Sequence, residues 1–124
     1  MLKANDFIKT NNTIQRFVHT QTGEIFTPIG VNYFCKGTGW APHLWYDHHF
    51  AEYDRDFSRM QKLGINIIRV FLSVNTCMSG PFKINEQTMQ YIREMLEYAQ
   101  KYDIRVIFSG VSMWDGRPAW FERN

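Results

Sequence analysis

Arg69 makes the strongest chemical demand on the rest of this 124-residue chain. It lies inside GINIIRVFLS, residues 64–73. There Ile65, Ile67, Ile68, Val70, Phe71 and Leu72 form a short run apolar on both faces, as in a parallel strand covered on both sides. Strand side chains alternate, so Arg69 shares a face with Ile65, Ile67 and Phe71, while Ile68, Val70 and Leu72 take the other. A guanidinium keeps its proton and is costly to bury without an acceptor, so Arg69 needs an anionic partner or water at the strand's end. A structural ion pair or an exposed edge arginine would satisfy the same need. The second set of residues is aromatic and amide: Trp40, Trp45, Tyr46 and Trp114 with Asn32 and Asn75, accompanied by His43 and Asp115. Aromatic faces stack on the C–H faces of sugar rings while polar groups bond the hydroxyls, so this set suits a carbohydrate. Loop aromatics serve equally well as a cover over the end of a sheet.

Other chemistries find little support. The segment GTGW, residues 37–40, has two glycines but neither GxGxxG nor Walker spacing, and it does not run directly into a helix. His43, His48 and His49 with Asp47 hint at a metal, yet adjacent histidines point apart and no HExxH is present. No nucleophile elbow is legible, so neither a metal nor a cofactor is expected. Cys35 and Cys77 are too few and too far apart for a zinc or redox motif and read as free thiols. The 14 Lys and Arg are scattered among 12 acids for a net charge of +2, which excludes a basic stripe for nucleic acid. No segment approaches the roughly 20 apolar residues of a membrane span, and the N-terminus lacks a signal peptide's apolar region. The chain as given therefore reads as soluble, cytoplasmic unless a longer parent is secreted.

The elements that must position these residues follow in order. Residues 1–27 read as an N-terminal β-hairpin, with a strand over 14–20, a turn at Gln21 to Glu24 and a second strand from Ile25. Pro28 breaks that run, and a buried strand follows over Ile29 to Phe34. After an aromatic loop, Asp47 is the expected N-cap of a helix with Phe50, Tyr53, Phe57, Met60 and Leu63 on one face, closed by Gly64. The Arg69 strand comes next, then a loop over 73–84. Asn85 caps a second helix with Met89, Ile92, Met95, Leu96 and Ala99 on its buried face, and a third strand covers Ile104 to Phe108. Residues 109–124 read as an aromatic loop. Alternation of this kind predicts an α/β fold with parallel strands and right-handed crossovers. The units repeat at roughly 40 residues, so eight of them would total roughly 300, the size of a (β/α)8 TIM barrel. Residues 28–124 are thus expected to be a partial barrel, strands 1 to 3 and helices 1 and 2. Arg69 and the aromatic set fall beyond the strands' carboxyl ends, where such folds bind ligands.

The hairpin ending TGEIF, then PIGVNYF, the aromatic loop, DFSRMQKLGINIIRVFL and the helix leading into IRVIFSG resemble the N-terminal part of clan A glycoside hydrolases, and most of all the cellulase-like and mannanase-like enzymes of glycoside hydrolase family 5. MQKLGINIIRVF is the most specific piece. The resemblance implies a parent that cleaves β-linked poly- or oligosaccharides by a two-carboxylate retaining mechanism without a cofactor. In the family an arginine at the end of the second strand helps hold the nucleophile, and Arg69 occupies that motif. The family's acid/base glutamate follows the fourth strand and its nucleophile the seventh, so both lie outside this chain, which is expected to be inactive alone. Asp115 and Glu122 do not replace them. The histidine often found soon after the third strand is missing from IFSGVSMWDG. Expected partners are a carbohydrate substrate and the missing remainder of the barrel, with self-association of the fragment a consequence of its open edges. The competing reading is a small stand-alone α/β module that binds carbohydrate or a protein without catalysis.

Overall fold

The computed structural model describes residues 6–47 and 49–121. The expectations that fall on residues 1–5, His48 and Glu122 lie outside this range. The architecture is mixed α/β. Its centre is a three-stranded parallel sheet of β4 (Gly30–Asn32), β5 (Ile67–Ser73) and β8 (Arg105–Ser112), in that order, with β5 in the middle.

The helices α1 (Phe50–Lys62) and α3 (Glu86–Lys101) pack on one face of this sheet. Their apolar residues recur at helical spacing, so Tyr53 and Phe57 of α1 and Met95 and Ala99 of α3 meet Ile68 and Val70 of β5 in one core with Tyr33, Leu44, Trp45 and Ile104. Both helices end alike. Ile65 N–H returns to the Met60 carbonyl and Gly64 N–H to Gln61, while Ile104 N–H returns to Ala99 and Asp103 N–H to Gln100. The turning residue in each case has a positive φ, 77° at Gly64 and 58° at Asp103, and this pair of hydrogen bonds satisfies carbonyls of the last turn. Asn85 caps α3 as expected, its side chain accepting from the Gln87 and Thr88 amides.

Several boundaries differ from expectation. Asp47 is not the cap of α1, which begins at Phe50 behind His49 with no side-chain cap bond. A 3-10 helix, Ala41–Trp45, occupies the preceding loop and draws Leu44 and Trp45 into the core, so the chain needs further residues before α1 can start. The expected loop over 73–84 contains a short helix α2 (Val74–Cys77), capped by Ser73, and a small hairpin of β6 (Met78–Gly80) and β7 (Lys83–Ile84). The third parallel strand runs on past Phe108 to Ser112, because β5 offers it continued pairing across a register shift near Phe71. β4 is shorter than expected and exposed, being an edge strand.

The N-terminal region is a three-stranded antiparallel sheet of β1 (Ile8–Asn11), β2 (Arg16–His19) and β3 (Ile25–Phe26) rather than a two-stranded hairpin. It is tied to the start of β8: the Arg105 guanidinium lies 3.4 Å from the Asp6 carboxylate, which also takes His19 Nδ1 at 2.7 Å. Asn66, just before β5, links the starts of the parallel strands. It accepts the Ile29 amide at 2.9 Å and donates to the Thr27 carbonyl at 2.8 Å, while its own carbonyl takes Arg105 N–H.

Candidate functional site at the carboxyl ends of the parallel strands

Register places the chemistry. Asn32 is paired with Arg69, which is paired with Ile107, so the three side chains leave the same face of the sheet, opposite the helices. One step further along, Phe71 is paired with Ser109. Arg69 leans toward that step: its Nε donates to Ser109 Oγ at 2.6 Å, and its guanidinium carbon sits 4.8 Å from the centre of the Phe71 ring. Among the described residues no carboxylate pairs with it. The Phe71 ring also meets Trp114 at 5.6 Å between ring centres, and Trp114 keeps 62% of its surface exposed. Asn32 is exposed and has no side-chain partner among the described residues. A shallow hollow of about 290 Å³ runs along Gly30, Asn32, Ile67, Arg69 and Ile107. Larger hollows lie against the N-terminal sheet: one of about 620 Å³ between Thr10 and Pro28, and one of about 460 Å³ at the start of β5, where Asp6 and Arg105 are engaged with each other.

A second group comes from the loop after β4. Trp40 meets His43 edge-on at 5.5 Å, and His43 meets Tyr46 at 5.2 Å, giving a row of three rings. Asp115, next to Trp114, joins the two groups. Its Oδ1 accepts from Ser73 Oγ at 2.6 Å and its Oδ2 from the Tyr46 hydroxyl at 3.4 Å. Burial and then the Asp115 charge push the Tyr46 phenol above its ordinary pKa, so it stays a hydrogen-bond donor at neutral pH. Asn75 fastens the same loop, donating through Nδ2 to the carbonyls of Asp115 and Gly116, which leaves Oδ1 without a partner among the described residues.

Of the residues the sequence singled out, Trp40, Tyr46, Asn75 and Trp114 lie past the strands at this end of the sheet and Asn32 closes β4, whereas Arg69, expected beyond the strand ends, is the third of the seven residues of β5 and only leans toward them. Trp45 does not belong with them. It is 2% exposed, and its indole N–H donates to the Phe71 carbonyl at 2.6 Å, so it is a core residue under the rim with no ring face open to a ligand. Ser73 and Ser109 escaped the sequence reading. Both are ordinary strand serines until the assembled sheet brings Ser73 within a hydrogen bond of Asp115 and Ser109, paired with Phe71, within one of Arg69. Among the described residues no group of three His, Cys, Asp or Glu is placed to hold a metal, and no helix is long and apolar enough to cross a membrane.

The model of the cellulase family, glycosyl hydrolase family 5, matches residues 20–114. No curated protein sequence matches the chain. Among solved structures, a variant of GH5_18 from Bifidobacterium longum subsp. longum ATCC 55813, in complex with Manb1-4GlcNAc, is similar at 25% identity with a TM-score of 0.63, covering 77% of this chain and 23% of that one. The structure of GH5_18 from the same organism is similar at 26% identity with a TM-score of 0.62, covering 76% and 23%. The chain thus spans about 23% of the length of the solved enzymes it matches.

Proposed function

The chain belongs to glycosyl hydrolase family 5, and from that premise we propose that it is the N-terminal segment of a retaining glycoside hydrolase that acts on β-linked oligo- or polysaccharides. The observation that carries this is Arg69: a guanidinium on the face of the central strand opposite the helices, leaning toward the strand's carboxyl end, held by Ser109 and Phe71, with no carboxylate beside it among the described residues. Retaining hydrolysis needs two carboxyl groups about 5 to 5.5 Å apart, one to protonate the leaving oxygen and one to attack. In this reading both come from further βα units of the same barrel, and the Arg69 fork meets the attacking carboxylate. β4 and β8 are the edges of the described sheet and carry exposed Val31, Ile107 and Val111, with exposed Ile29 just before β4, and these edges would receive the neighbouring strands.

The sugar lies along the rim. Trp114 and the row of Trp40, His43 and Tyr46 supply ring faces, while Asn32 and Asn75 Oδ1 meet hydroxyls. The similar enzyme that binds Manb1-4GlcNAc makes that disaccharide the first ligand to try. The deciding experiment assays the full-length protein on Manb1-4GlcNAc, mannan, cellulose and small aryl β-glycosides. Turnover with retention at the anomeric carbon is expected, and absence of turnover on every β-glycoside would overturn the proposal.

A further inference from the structure

We propose that Ser109 is a positioning residue for Arg69: it anchors Nε so that the two terminal nitrogens of the guanidinium are aimed, as a preformed fork, at the site of an incoming carboxylate. A guanidinium has five N–H donors in one rigid plane, so fixing one edge fixes the direction of the others. The edge is fixed twice here. Ser109 Oγ takes Nε at 2.6 Å, and the Phe71 ring lies 4.8 Å from the guanidinium carbon, which restricts rotation about the bond that the serine leaves free. The support is itself rigid. Ser109 lies in β8 paired with Phe71, and Phe71 is held at its ring by Trp114 and through its carbonyl by the Trp45 indole. A free arginine would spread over many rotamers and would have to lose that freedom when the carboxylate arrives. With Nε anchored and no carboxylate alongside, the cost is met on folding, and the fork is ready for a bidentate acid.

The carboxylate's identity as a nucleophile rests on the reading in the previous subsection, whereas the anchoring does not. Two measurements on the full-length protein separate them. In protein labelled with 15N-arginine, the Arg69 Nε–H should exchange slowly with water, and Ser109→Ala should speed that exchange by on the order of tenfold, with Ser109→Thr, which keeps the hydroxyl, close to wild type. Unchanged exchange in a folded Ser109→Ala protein overturns the proposal whatever the enzyme's activity. On the best β-glycoside, Ser109→Ala should lower kcat by about three- to tenfold with KM little changed, and move the acidic limb of kcat/KM to higher pH, since a nucleophile with a loosened cation beside it protonates more easily. In an Arg69→Ala background the same serine change should have no further effect. Additive losses, or an unmoved acidic limb, would reduce Ser109 to a strand residue. If the wild type turns over no glycoside while the exchange result holds, the hydrolase reading fails and the anchoring stands.

Discussion

Trp45 donates its indole N–H to the carbonyl oxygen of Phe71 at 2.6 Å, across 26 residues of sequence, and so locks the loop after β4 onto the end of β5. The bond is buried, and Phe71 carries Arg69 on its ring. Trp45→Phe keeps most of the apolar volume but removes the donor, and should cost about 1 to 3 kcal/mol. Trp45→Ala also opens a cavity and should cost about 3 to 5 kcal/mol. Denaturant melts of the two variants check the order.

Gly30 should tolerate no side chain. An added Cβ would lie 2.5 Å from Ile67 Cγ2 and 2.6 Å from the Ile67 carbonyl oxygen, and the latter is backbone that cannot swing away. Gly30→Ala is expected to push β4 from β5 at a cost of about 1 to 3 kcal/mol, read as a lower midpoint with faster amide exchange at Val31 and Asn32. A neutral result would mean that the two strands are not packed this closely.

In the full-length protein, Arg69→Ala should leave the fold intact and lower turnover by on the order of tenfold or more, through lost orientation and charge support at the attacking carboxylate. Arg69→Lys should recover little of it, because an ammonium has no planar fork. Steady-state kinetics beside a circular dichroism melt separate this from unfolding.

Asp6 should give the fold part of its acid sensitivity. Burial pushes its carboxyl up, but hydrogen bonds from His19 and the Gln21 amide, with the charges of His19 and Arg105, outweigh it and hold the carboxyl below its ordinary value. A folded-state pKa below the unfolded one stabilises the fold above the unfolded value, near pH ~4, and that contribution is lost as pH falls through the folded value. Asp6→Asn should therefore lower Tm at neutral pH and flatten its fall between about pH 5 and 2. A parallel profile for the variant would show the ion pair contributes nothing.

Both cysteines are buried free thiols. Burial, reinforced by the Asp56 and Glu52 charges against a hydrogen bond with Tyr33, pushes Cys35 up to about 11, and burial raises Cys77 as well. Neither should react with iodoacetamide at pH 8 while folded, and both should react in denaturant without reductant. Mass spectrometry counts the adducts.

The residues legible in the sequence were those whose own neighbours determine them. The apolar run around Arg69 made a strand, Gly64 stopped α1 and Asn85 started α3, each through contacts within a few residues. β1 was missed because IKTN, residues 8–11, carries little apolar pattern, and only its pairing with β2 makes it a strand. Trp45 and Trp114 look alike as loop tryptophans, yet one is 2% and the other 62% exposed, a difference set by which of them a carbonyl on β5 can reach. Ser109 carries no sign of its role because its partner lies 40 residues away, and the register that joins them is a property of the assembled sheet.

The contact between Asp6 and Arg105 spans 99 residues. The N-terminal sheet can form its own hairpins as soon as it leaves the ribosome, but its docking partner has not yet been synthesised. At roughly 5 to 20 residues per second the wait lasts on the order of 5 to 20 seconds, long beside the microseconds in which a hairpin forms. Through that interval Phe7, Phe17 and Ile25, all still substantially exposed after docking, stand open to solvent. Docking on β8 does not end that exposure, so these side chains remain the region's liability to misassociation after β8 has formed.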